Sequence, residues 1–346
     1  MKDSKGNKLY GKNKTNFVPR ILRKSPLLWS LACKTRVFLS TVIESRVERA
    51  DFKKNIELFK MTAVEKKAHD ELKRNGFTLI EDVYPLELID ELFDRIDQSF
   101  KDPALEHVQL YLTEENTKHK RSYEEMAKTE KVITLQDALI SVPECADLAV
   151  NETIFRIVAN CLGFAPNIFT PAIVRDFPLD KPRYSSHFHK DNYEREGYQA
   201  FVYLVDIDDT RGPLHYVPGT HNYDRKSCKP RLGIDMGDLA YDDNGISDAE
   251  VEKHYPQQDW RKFPCRRGSI AIIKGNGLHK GPVWPNVGDP NNLARTAIRL
   301  NFLGPKIFKG RVDRERKHLG GNVRAENFAR FSPVQKMLAK KLKVVP

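Results

Sequence analysis

His189, Asp191 and His279 are the residues whose types and spacing indicate the clearest chemistry. His189 and Asp191 lie two residues apart, so both side chains project to one side of an extended segment. His279 follows a glycine-rich turn that comes directly after the strand-like segment 269–274. Two histidines and one carboxylate bind one face of an octahedral ion and leave its other positions open, as in non-haem Fe(II) sites. The three residues therefore predict a catalytic metal site.

Short apolar segments surround these residues in the second half of the chain. Turn residues such as Arg211-Gly212-Pro213 and Pro218-Gly219 separate them. Many short strands broken by such turns are typical of an all-β sandwich or barrel. The segments predicted as strands are 168–176, 184–188, 200–205, 214–217, 269–274 and 295–302.

Helices are predicted upstream of the strands. Thr62 and Glu65 have the spacing of a capping box, and Gly76 is expected to end the helix that they begin. A short strand follows from residue 77, and apolar residues at helical spacing predict a helix over 86–100 and another over 145–162. We expect these helices to form a layer against the strands.

Two polar segments interrupt this pattern. Residues 104–130 are charged and poor in apolar side chains, which predicts loops. Residues 228–263 contain eight acidic residues and form an insert long enough to be a lid.

The basic charge of the chain is concentrated at its two ends. The 346 residues carry a net charge of +11. Residues 1–36 contain ten Lys or Arg against one acid, and residues 305–346 contain twelve against three. Such ends are expected to bind anionic lipid, nucleic acid or an acidic partner. Residues 20–47 mix Leu, Ile and Trp with basic residues. This pattern favours packing on the body or on another subunit, with a membrane surface as the next alternative and nucleic acid after it.

Cysteine usage and hydropathy indicate the compartment. The five cysteines are an odd number with no C-x-x-C pair, which favours a reducing environment. Lys34 and Arg36 interrupt the apolar stretch 26–43, so no membrane-spanning helix is predicted. The expected localisation is cytoplasmic, with peripheral association on the inner face of the membrane.

Four strings around the predicted metal site resemble one known family. They are HFHKD, FVYLVDIDDTRGPLHYVPGTH, GSIAIIKGNGLHKG and RTAIRLNF, within residues 184–303. They resemble the phytanoyl-CoA dioxygenase family of Fe(II)/2-oxoglutarate oxygenases. The resemblance implies a mainly β fold, in which N-terminal helices pack on a double-stranded β-helix of the jelly-roll or cupin-like kind. It also implies that His189, Asp191 and His279 are the catalytic iron ligands, with 2-oxoglutarate and O2 as cosubstrates.

The resemblance further implies that Arg295 binds the distal carboxylate of 2-oxoglutarate. A guanidinium suits that role because it binds a carboxylate with two parallel hydrogen bonds. Arg299 is the rival, about 13 Å further along the same strand. Tyr203 is predicted to contact the cosubstrate, with a core aromatic as the alternative. His187 faces the same side as His189 and is expected to line the cavity or to have a structural role.

The expected reaction converts 2-oxoglutarate, O2 and substrate-H into succinate, CO2 and substrate-OH. Related halogenases lack the ligating carboxylate, so the presence of Asp191 favours hydroxylation. Basic surfaces suit a substrate that carries phosphates, and the membrane-like N-terminus favours a lipid-linked or envelope saccharide. The alternatives are an acyl-CoA or another small metabolite, or a non-catalytic binding protein of the same fold.

The predicted domain organisation has three parts. Residues 1–56 are a basic, partly amphipathic extension, and residues 305–346 are a basic tail. Residues 57–304 form the oxygenase domain, with its core strands in 167–304.

Overall fold

The computed structural model describes most of the chain from residue 46 onward. The described residues are 46–47, 49–102, 108–110, 122–135, 138–168, 171–179, 186–191, 197–221, 245–284, 286, 288–303, 322–339 and 342–346. The amphipathic part of the N-terminal extension, over residues 20–45, lies outside them, as do the acidic residues of the insert before residue 245.

An eight-stranded antiparallel sheet forms the centre of the fold. Its strands are β1 (Phe77–Ile80), β2 (Val108–Leu110), β3 (Val132–Leu135), β4 (Asn167–Ile168), β5 (Ala172–Asp176), β6 (Tyr198–Tyr203), β9 (Ile270–Lys274) and β11 (Arg295–Leu303). The strand order is β1-β9-β6-β11-β5-β3-β2, and β4 pairs with β11. Both faces of β9 are buried, which explains why its sequence is almost continuously apolar rather than alternating.

A smaller sheet lies against the inner face of the large sheet. Its strands are β7 (His215–Tyr216), β8 (Arg261–Lys262) and β10 (His279–Lys280), in the order β10-β7-β8. One apolar cluster joins the two sheets, with Tyr203 and Ala297 from the large sheet and Tyr216 from the small one. This arrangement is a double-stranded β-helix, so the predicted fold class is confirmed.

The predicted strand 184–188 is only partly within the described residues. Among residues 186–191, Phe188 pairs with Ile246 and His189 pairs with His279, each through an isolated β-bridge. The prediction of a regular strand ending at Phe188 is therefore wrong for its described end. Phe188 and His189 each form only an isolated bridge because their partners, Ile246 and His279, lie in different segments.

Most of the helices cover the outer face of the large sheet, whereas the short helix 248–252 of the insert packs with Phe188 and Trp260 instead. Their bounds are α1 (Ala63–Asn75), α2 (Leu86–Lys101), α3 (Tyr123–Thr129), α4 (Ala138–Ser141), α5 (Cys145–Ala149), α6 (Glu152–Leu162), α7 (Asp248–Glu252), α8 (Ala325–Arg330) and α9 (Pro333–Ala339). The capping box of Thr62 and Glu65 is present, and Gly76 ends α1 with a φ of 88°. The start and the end predicted for this helix are therefore confirmed.

The helix predicted over 145–162 is two helices. Val150 is non-helical, and the side chain of Asn151 accepts a hydrogen bond from the backbone N–H of Ile154 at the start of α6. Asn151 also donates from its amide to the hydroxyl of Tyr84. An N-cap asparagine with a tertiary partner begins a new helix even within a continuous apolar pattern.

Residues 104–130 contain more regular structure than predicted. Within its described part lie β2, which pairs with β3, and α3, which begins at the N-cap Ser122. The strand β3 was absent from the sequence-based prediction and lies between β2 and β5. Pairing with neighbours distant in sequence stabilises these short segments, and local sequence patterns do not reveal such pairing.

The described parts of both chain ends pack on the body. Phe52 lies 4.5 Å from Phe59 between ring centroids, and Phe59 lies 5.2 Å from Phe155 of α6. At the other end, Val334 and Leu338 of α9 are buried in the main core. Within the described residues, no helix combines the length and the apolar character needed to cross a membrane.

Candidate active site

The inner face of the large sheet presents its side chains in rows that run across the strands. Residues directly opposite each other on paired strands share a row and a face. The rows on β5, β11 and β6 are Asp176 with Arg295, then Val174 with Ala297 and Tyr203, then Ala172 with Arg299 and Phe201, then Asn301 with Gln199. Residues of the first two rows are buried, whereas Arg299, Phe201, Asn301 and Gln199 are half-buried. The barrel is therefore closed at the Arg295 end and more open at the Asn301 end.

His189, Asp191 and His279 come together beside the open end of these rows. One ligand atom of each lies within 4.8 Å of the other two. Nε2 of His189 is 4.0 Å from Oδ1 of Asp191, and Nε2 of His279 is 3.5 Å from Oδ2. Both separations are below about 4.4 Å, twice a metal–ligand distance of about 2.2 Å, so each histidine can share one ion with Asp191.

Backbone pairing holds the two histidines next to each other. The N–H of His189 donates to the carbonyl of His279 at 2.9 Å, and the N–H of His279 donates to the carbonyl of His189 at 3.1 Å. Each Nδ1 lies 2.9 Å from a backbone carbonyl, that of His187 or that of Gly277. A histidine whose Nδ1–H donates to a carbonyl presents a neutral Nε2 with a free lone pair, which is the form that ligates metals.

The glycine-rich turn before His279 is required by close packing. A Cβ at Gly277 would lie 1.8 Å from the hydroxyl oxygen of Tyr216, and a Cβ at Gly275 would lie 2.9 Å from Oδ2 of Asp191. The carbonyl of Gly275 also accepts from the backbone N–H of Asp191 at 2.7 Å. The turn thus positions both the carboxylate and the second histidine.

Gln199 fixes the orientation of the Asp191 carboxylate. Its amide Nε2 donates to Oδ2 of Asp191 at 2.6 Å. Burial alone would raise the pKa of Asp191, but the neighbouring His279, His189 and Arg299 outweigh that effect, so the pKa is lower than its ordinary value. The carboxylate is therefore ionised at neutral pH, which is the state that binds a cation.

Arg295 lies at the closed end in a buried ion pair with Asp176. Its Nη2 and Nε donate to Oδ2 of Asp176 at 2.9 and 3.2 Å, and its Nη1 donates to the carbonyl of Gly212 at 3.2 Å. A guanidinium has a further N–H on each of Nη1 and Nη2. Those two donors form a fork that fits one additional carboxylate.

Two buried hydroxyl groups in the next row have no hydrogen-bond partner among the described residues. They are Oη of Tyr203 and Oγ1 of Thr134, which lies on β3 opposite Val174. Burial raises the pKa of Tyr203, so its hydroxyl stays protonated and remains a donor. Unsatisfied buried hydroxyl groups are rare. Together with Arg295 they provide donors that suit the distal carboxylate of 2-oxoglutarate.

His187, two further histidines and Trp284 lie outside the triad. The carbonyl of His187 is the acceptor for His189. Burial lowers the pKa of both His215 and His221 to about 4, so these histidines are neutral at physiological pH. Trp284 is buried, and its Nε1 donates to the carbonyl of Thr210 at 3.0 Å.

Trp284 also packs on Gly212, whose backbone contacts Arg295. A Cβ at Gly212 would lie 3.0 Å from the indole ring, and the residue has a φ of 63°. Trp284 is therefore part of the wall at the closed end. There it packs on the loop whose Gly212 carbonyl accepts a hydrogen bond from Arg295.

Lys280 lies next to His279 on β10 and contacts the described part of the insert. Its Nζ donates to both carboxylate oxygens of Asp248, the first residue of α7, at 2.6 Å. The same Nζ lies 4.8 Å from the ring centroid of Phe188 and 5.3 Å from that of Trp260. The insert is thus attached directly beside His279.

Sequence reasoning did not identify Asp176, Gln199 or Thr134. Asp176 ends an apolar segment, and Gln199 lies in the strand that follows the H-x-D motif. Side chains alternate between the two faces of a strand, so Gln199, four residues before Tyr203, lies on the same inner face as Tyr203. No local signal pairs Asp176 with Arg295, because 119 residues separate them.

Comparison with known proteins identifies the family of the chain. The sequence profile of the phytanoyl-CoA dioxygenase family matches residues 72–283, which is more than half of the chain. The fold and site define an Fe(II)/2-oxoglutarate-dependent oxygenase. The chain belongs to the phytanoyl-CoA dioxygenase family, so its metal is iron and its cosubstrates are 2-oxoglutarate and O2. The predicted family, enzyme class and cofactors are confirmed.

Several solved structures are also similar to the chain. The non-haem α-ketoglutarate-dependent epimerase SnoN from nogalamycin biosynthesis is 15% identical, with 70% of this chain and 84% of that chain covered and a TM-score of 0.47. EctD from S. alaskensis with 2-oxoglutarate and 5-hydroxyectoine is 15% identical, with 70% and 76% covered and a TM-score of 0.45. HygX from Streptomyces hygroscopicus with nickel and 2-oxoglutarate is 15% identical, with 72% and 89% covered and a TM-score of 0.43. No curated protein matches the sequence.

Proposed function

We propose that this oxygenase is a hydroxylase in which His189, Asp191 and His279 hold the iron, and Arg295 and Tyr203 bind the distal carboxylate of 2-oxoglutarate. The observation that carries the proposal is the convergence of three ligand atoms within 4.8 Å. The backbone hydrogen bonds of both Nδ1 atoms support it, because they leave each Nε2 available for the metal.

The side chains along the barrel have different roles. Iron, when bound, supplies the redox chemistry that couples decarboxylation of 2-oxoglutarate to hydroxylation of the substrate. Arg295 and the protonated hydroxyl of Tyr203 orient the cosubstrate from the closed end, where burial excludes water and strengthens each charged hydrogen bond. Gln199 holds the carboxylate of Asp191 in place. The presence of that carboxylate supports hydroxylation rather than halogenation.

Iron binding by single variants tests the ligand assignment. Anaerobic titration with Fe(II) should show a single tight site in the wild type and loss of that site in His189→Ala and Asp191→Ala. His254→Ala, at an exposed histidine of the insert, is the matched control and should bind iron normally. Full iron binding and decarboxylation by Asp191→Ala would refute the assignment. Bound iron and 2-oxoglutarate with no decarboxylation would favour the non-catalytic alternative.

Steady-state kinetics test whether Arg295 and Tyr203 bind 2-oxoglutarate. Arg295→Ala should raise the KM for 2-oxoglutarate by about a hundredfold or more, because a buried charge-assisted pair is worth several kcal/mol. Tyr203→Phe should have a smaller effect in the same direction. Arg261→Ala, at an exposed position on β8, should leave the KM unchanged. An unchanged KM in Arg295→Ala would remove Arg295 from the cosubstrate site.

For the substrate, we propose a lipid-linked or envelope saccharide that reaches the enzyme at an anionic membrane surface. The basic charge of residues 1–36 supports this proposal, together with the apolar residues interspersed over 20–47. Deletion of residues 1–45 should abolish sedimentation with anionic vesicles at low salt and leave decarboxylation largely intact. Absence of vesicle binding by the full chain would refute the membrane proposal. Acyl-CoA and small-metabolite substrates would then be the candidates.

We also propose the division into an extension over 1–56, an oxygenase domain over 57–304 and a tail over 305–346. The family match over 72–283 lies within the proposed domain. The contacts of Phe52 and Leu338 with the main core indicate that the extension and the tail contribute to the stability of this domain. Limited proteolysis with first cuts close to residues 57 and 304 would support the division, and first cuts within 57–304 would contradict it.

A further inference from the structure

Arg299 occupies a position distinct from that of Arg295 on the same strand. Both side chains lie on the inner face of β11, about 13 Å apart along the strand. Arg295 is buried at the closed end, whereas Arg299 is half-buried in the more open part of the barrel. The two guanidinium groups therefore face different parts of the cavity.

The surroundings of Arg299 place its charge beside the metal site. Its row neighbours are Phe201 on β6 and Ala172 on β5, both without charge. The adjacent row contains Gln199, which donates to Asp191. A half-buried guanidinium, with five N–H donors, binds an oxyanion more strongly than it would in water.

We propose that the substrate carries an oxyanion, either a carboxylate or a tetrahedral group such as a phosphate or sulfate ester, that pairs with Arg299 and orients the substrate beside the iron. The proposal rests on the proposed function, in which Arg295 binds the cosubstrate at the closed end and the substrate enters from the open end. Arg299 is then a specificity-determining residue that selects acidic substrates.

Anion titration of the loaded enzyme tests this assignment. The protein with Fe(II) and saturating 2-oxoglutarate, under nitrogen, would be titrated by calorimetry with sulfate in one arm and propionate in the other. Saturating 2-oxoglutarate keeps the Arg295 site occupied. Sulfate represents tetrahedral oxyanions and propionate represents carboxylates, so the stronger binder identifies the substrate's anionic group.

Three variants separate Arg299 from general charge effects. Arg299→Gln should weaken binding of the preferred anion by about tenfold or more, since a charge-assisted pair is lost. Arg299→Lys should recover part of that loss. Lys274→Gln is the control, because it also removes a positive charge from a strand of the same sheet. Nζ of Lys274 lies over the ring of Tyr198, which packs on the opposite face of the sheet from Arg299. This control should bind the anion as the wild type does.

Three results would overturn the proposal. The first is absence of binding by the wild type in both arms at millimolar concentrations. The second is equal binding by the wild type and Arg299→Gln. The third is a rise in the KM for 2-oxoglutarate in Arg299→Gln as large as that in Arg295→Ala, which would assign Arg299 to the cosubstrate. If the wild type binds neither iron nor 2-oxoglutarate, the proposed function fails, and titration of the metal-free protein still compares Arg299→Gln with the wild type.

Discussion

Arg295 and Asp176 form an ion pair across two neighbouring strands at the closed end of the barrel. Nη2 of Arg295 lies 2.9 Å from Oδ2 of Asp176, and the two residues are 5% and 3% exposed. At this depth each charge depends on the other, because an unpaired buried charge is strongly destabilising. The pair also holds the guanidinium in the orientation that directs its remaining donors toward the proposed cosubstrate site.

Asp176→Asn tests this relationship. The variant should have a thermal midpoint several degrees below that of the wild type, since the charge of Arg295 loses its partner. Saturating 2-oxoglutarate should raise the midpoint more in the variant than in the wild type, because the bound carboxylate replaces the missing anion. Differential scanning fluorimetry with and without 2-oxoglutarate measures both effects.

Asp90→Asn is the matched control for this comparison. Asp90 pairs with Arg267 on the surface, where an ion pair contributes at most about 1 kcal/mol. Its 2-oxoglutarate response should equal that of the wild type. An identical response in Asp176→Asn would mean that the cosubstrate carboxylate does not contact Arg295.

Gln199→Leu should weaken Fe(II) binding by roughly 10- to 100-fold, because a hydrogen bond that orients a ligating carboxylate is lost. The fold should be retained, since Gln199 is half-buried and leucine is a similar size. Anaerobic competition with a chelator measures the affinity. Gln257→Leu, at an exposed glutamine, should match the wild type, and normal iron affinity in Gln199→Leu would contradict the assigned role.

Asp248→Ala should loosen the described part of the insert. The change removes both hydrogen bonds that the buried ammonium of Lys280 donates to Asp248, so α7 loses its polar attachment beside His279. Hydrogen exchange should become faster over residues 246–260, and protease cleavage there should increase. Asp259→Ala, at an exposed acid in the same segment, should leave exchange unchanged. Unaltered protection in Asp248→Ala would show that the apolar cluster around Phe188 and Trp260 suffices.

Glu65→Gln should reduce the free energy of unfolding at neutral pH by about 2 kcal/mol, the value of a hydrogen bond to a charged group. Glutamine preserves the capping box, so the loss isolates the buried pair with Arg156, in which Nη2 and Oε1 are 2.7 Å apart. Burial alone would raise the pKa of Glu65, but hydrogen bonds from Arg156 and Thr62 lower it overall.

The lowered pKa of Glu65 sets the direction of the pH dependence. Its contribution is fully present above the pKa of the unfolded chain and is lost as the pH falls through the folded pKa. The difference between the wild type and Glu65→Gln should therefore shrink below about pH 4.3. Urea unfolding across this range measures it, with Glu57→Gln at an exposed site as the control. A difference that grows on acidification would exclude this account.

The sequence by itself determined the features that depend on neighbouring residues. The capping box at Thr62 and the left-handed glycines at Gly76 and Gly163 follow from local backbone preferences. The spacing of His189 and Asp191, and the glycine-rich turn before His279, predicted the residues that the structure brings together. These signals lie within a few residues along the chain, so single-sequence patterns contain them.

Tertiary structure decided the features that depend on residues far apart in sequence. The helix break at Val150 arises where Asn151 meets Tyr84, and β3 is stabilised by pairing with β5. Asp176 meets Arg295 only because β5 and β11 are neighbours in the sheet. The depth of each arginine in the barrel likewise follows from strand register, which places Arg295 at the closed end and Arg299 near the opening. Long-range pairing determines which donors face each other, and local propensities do not encode it.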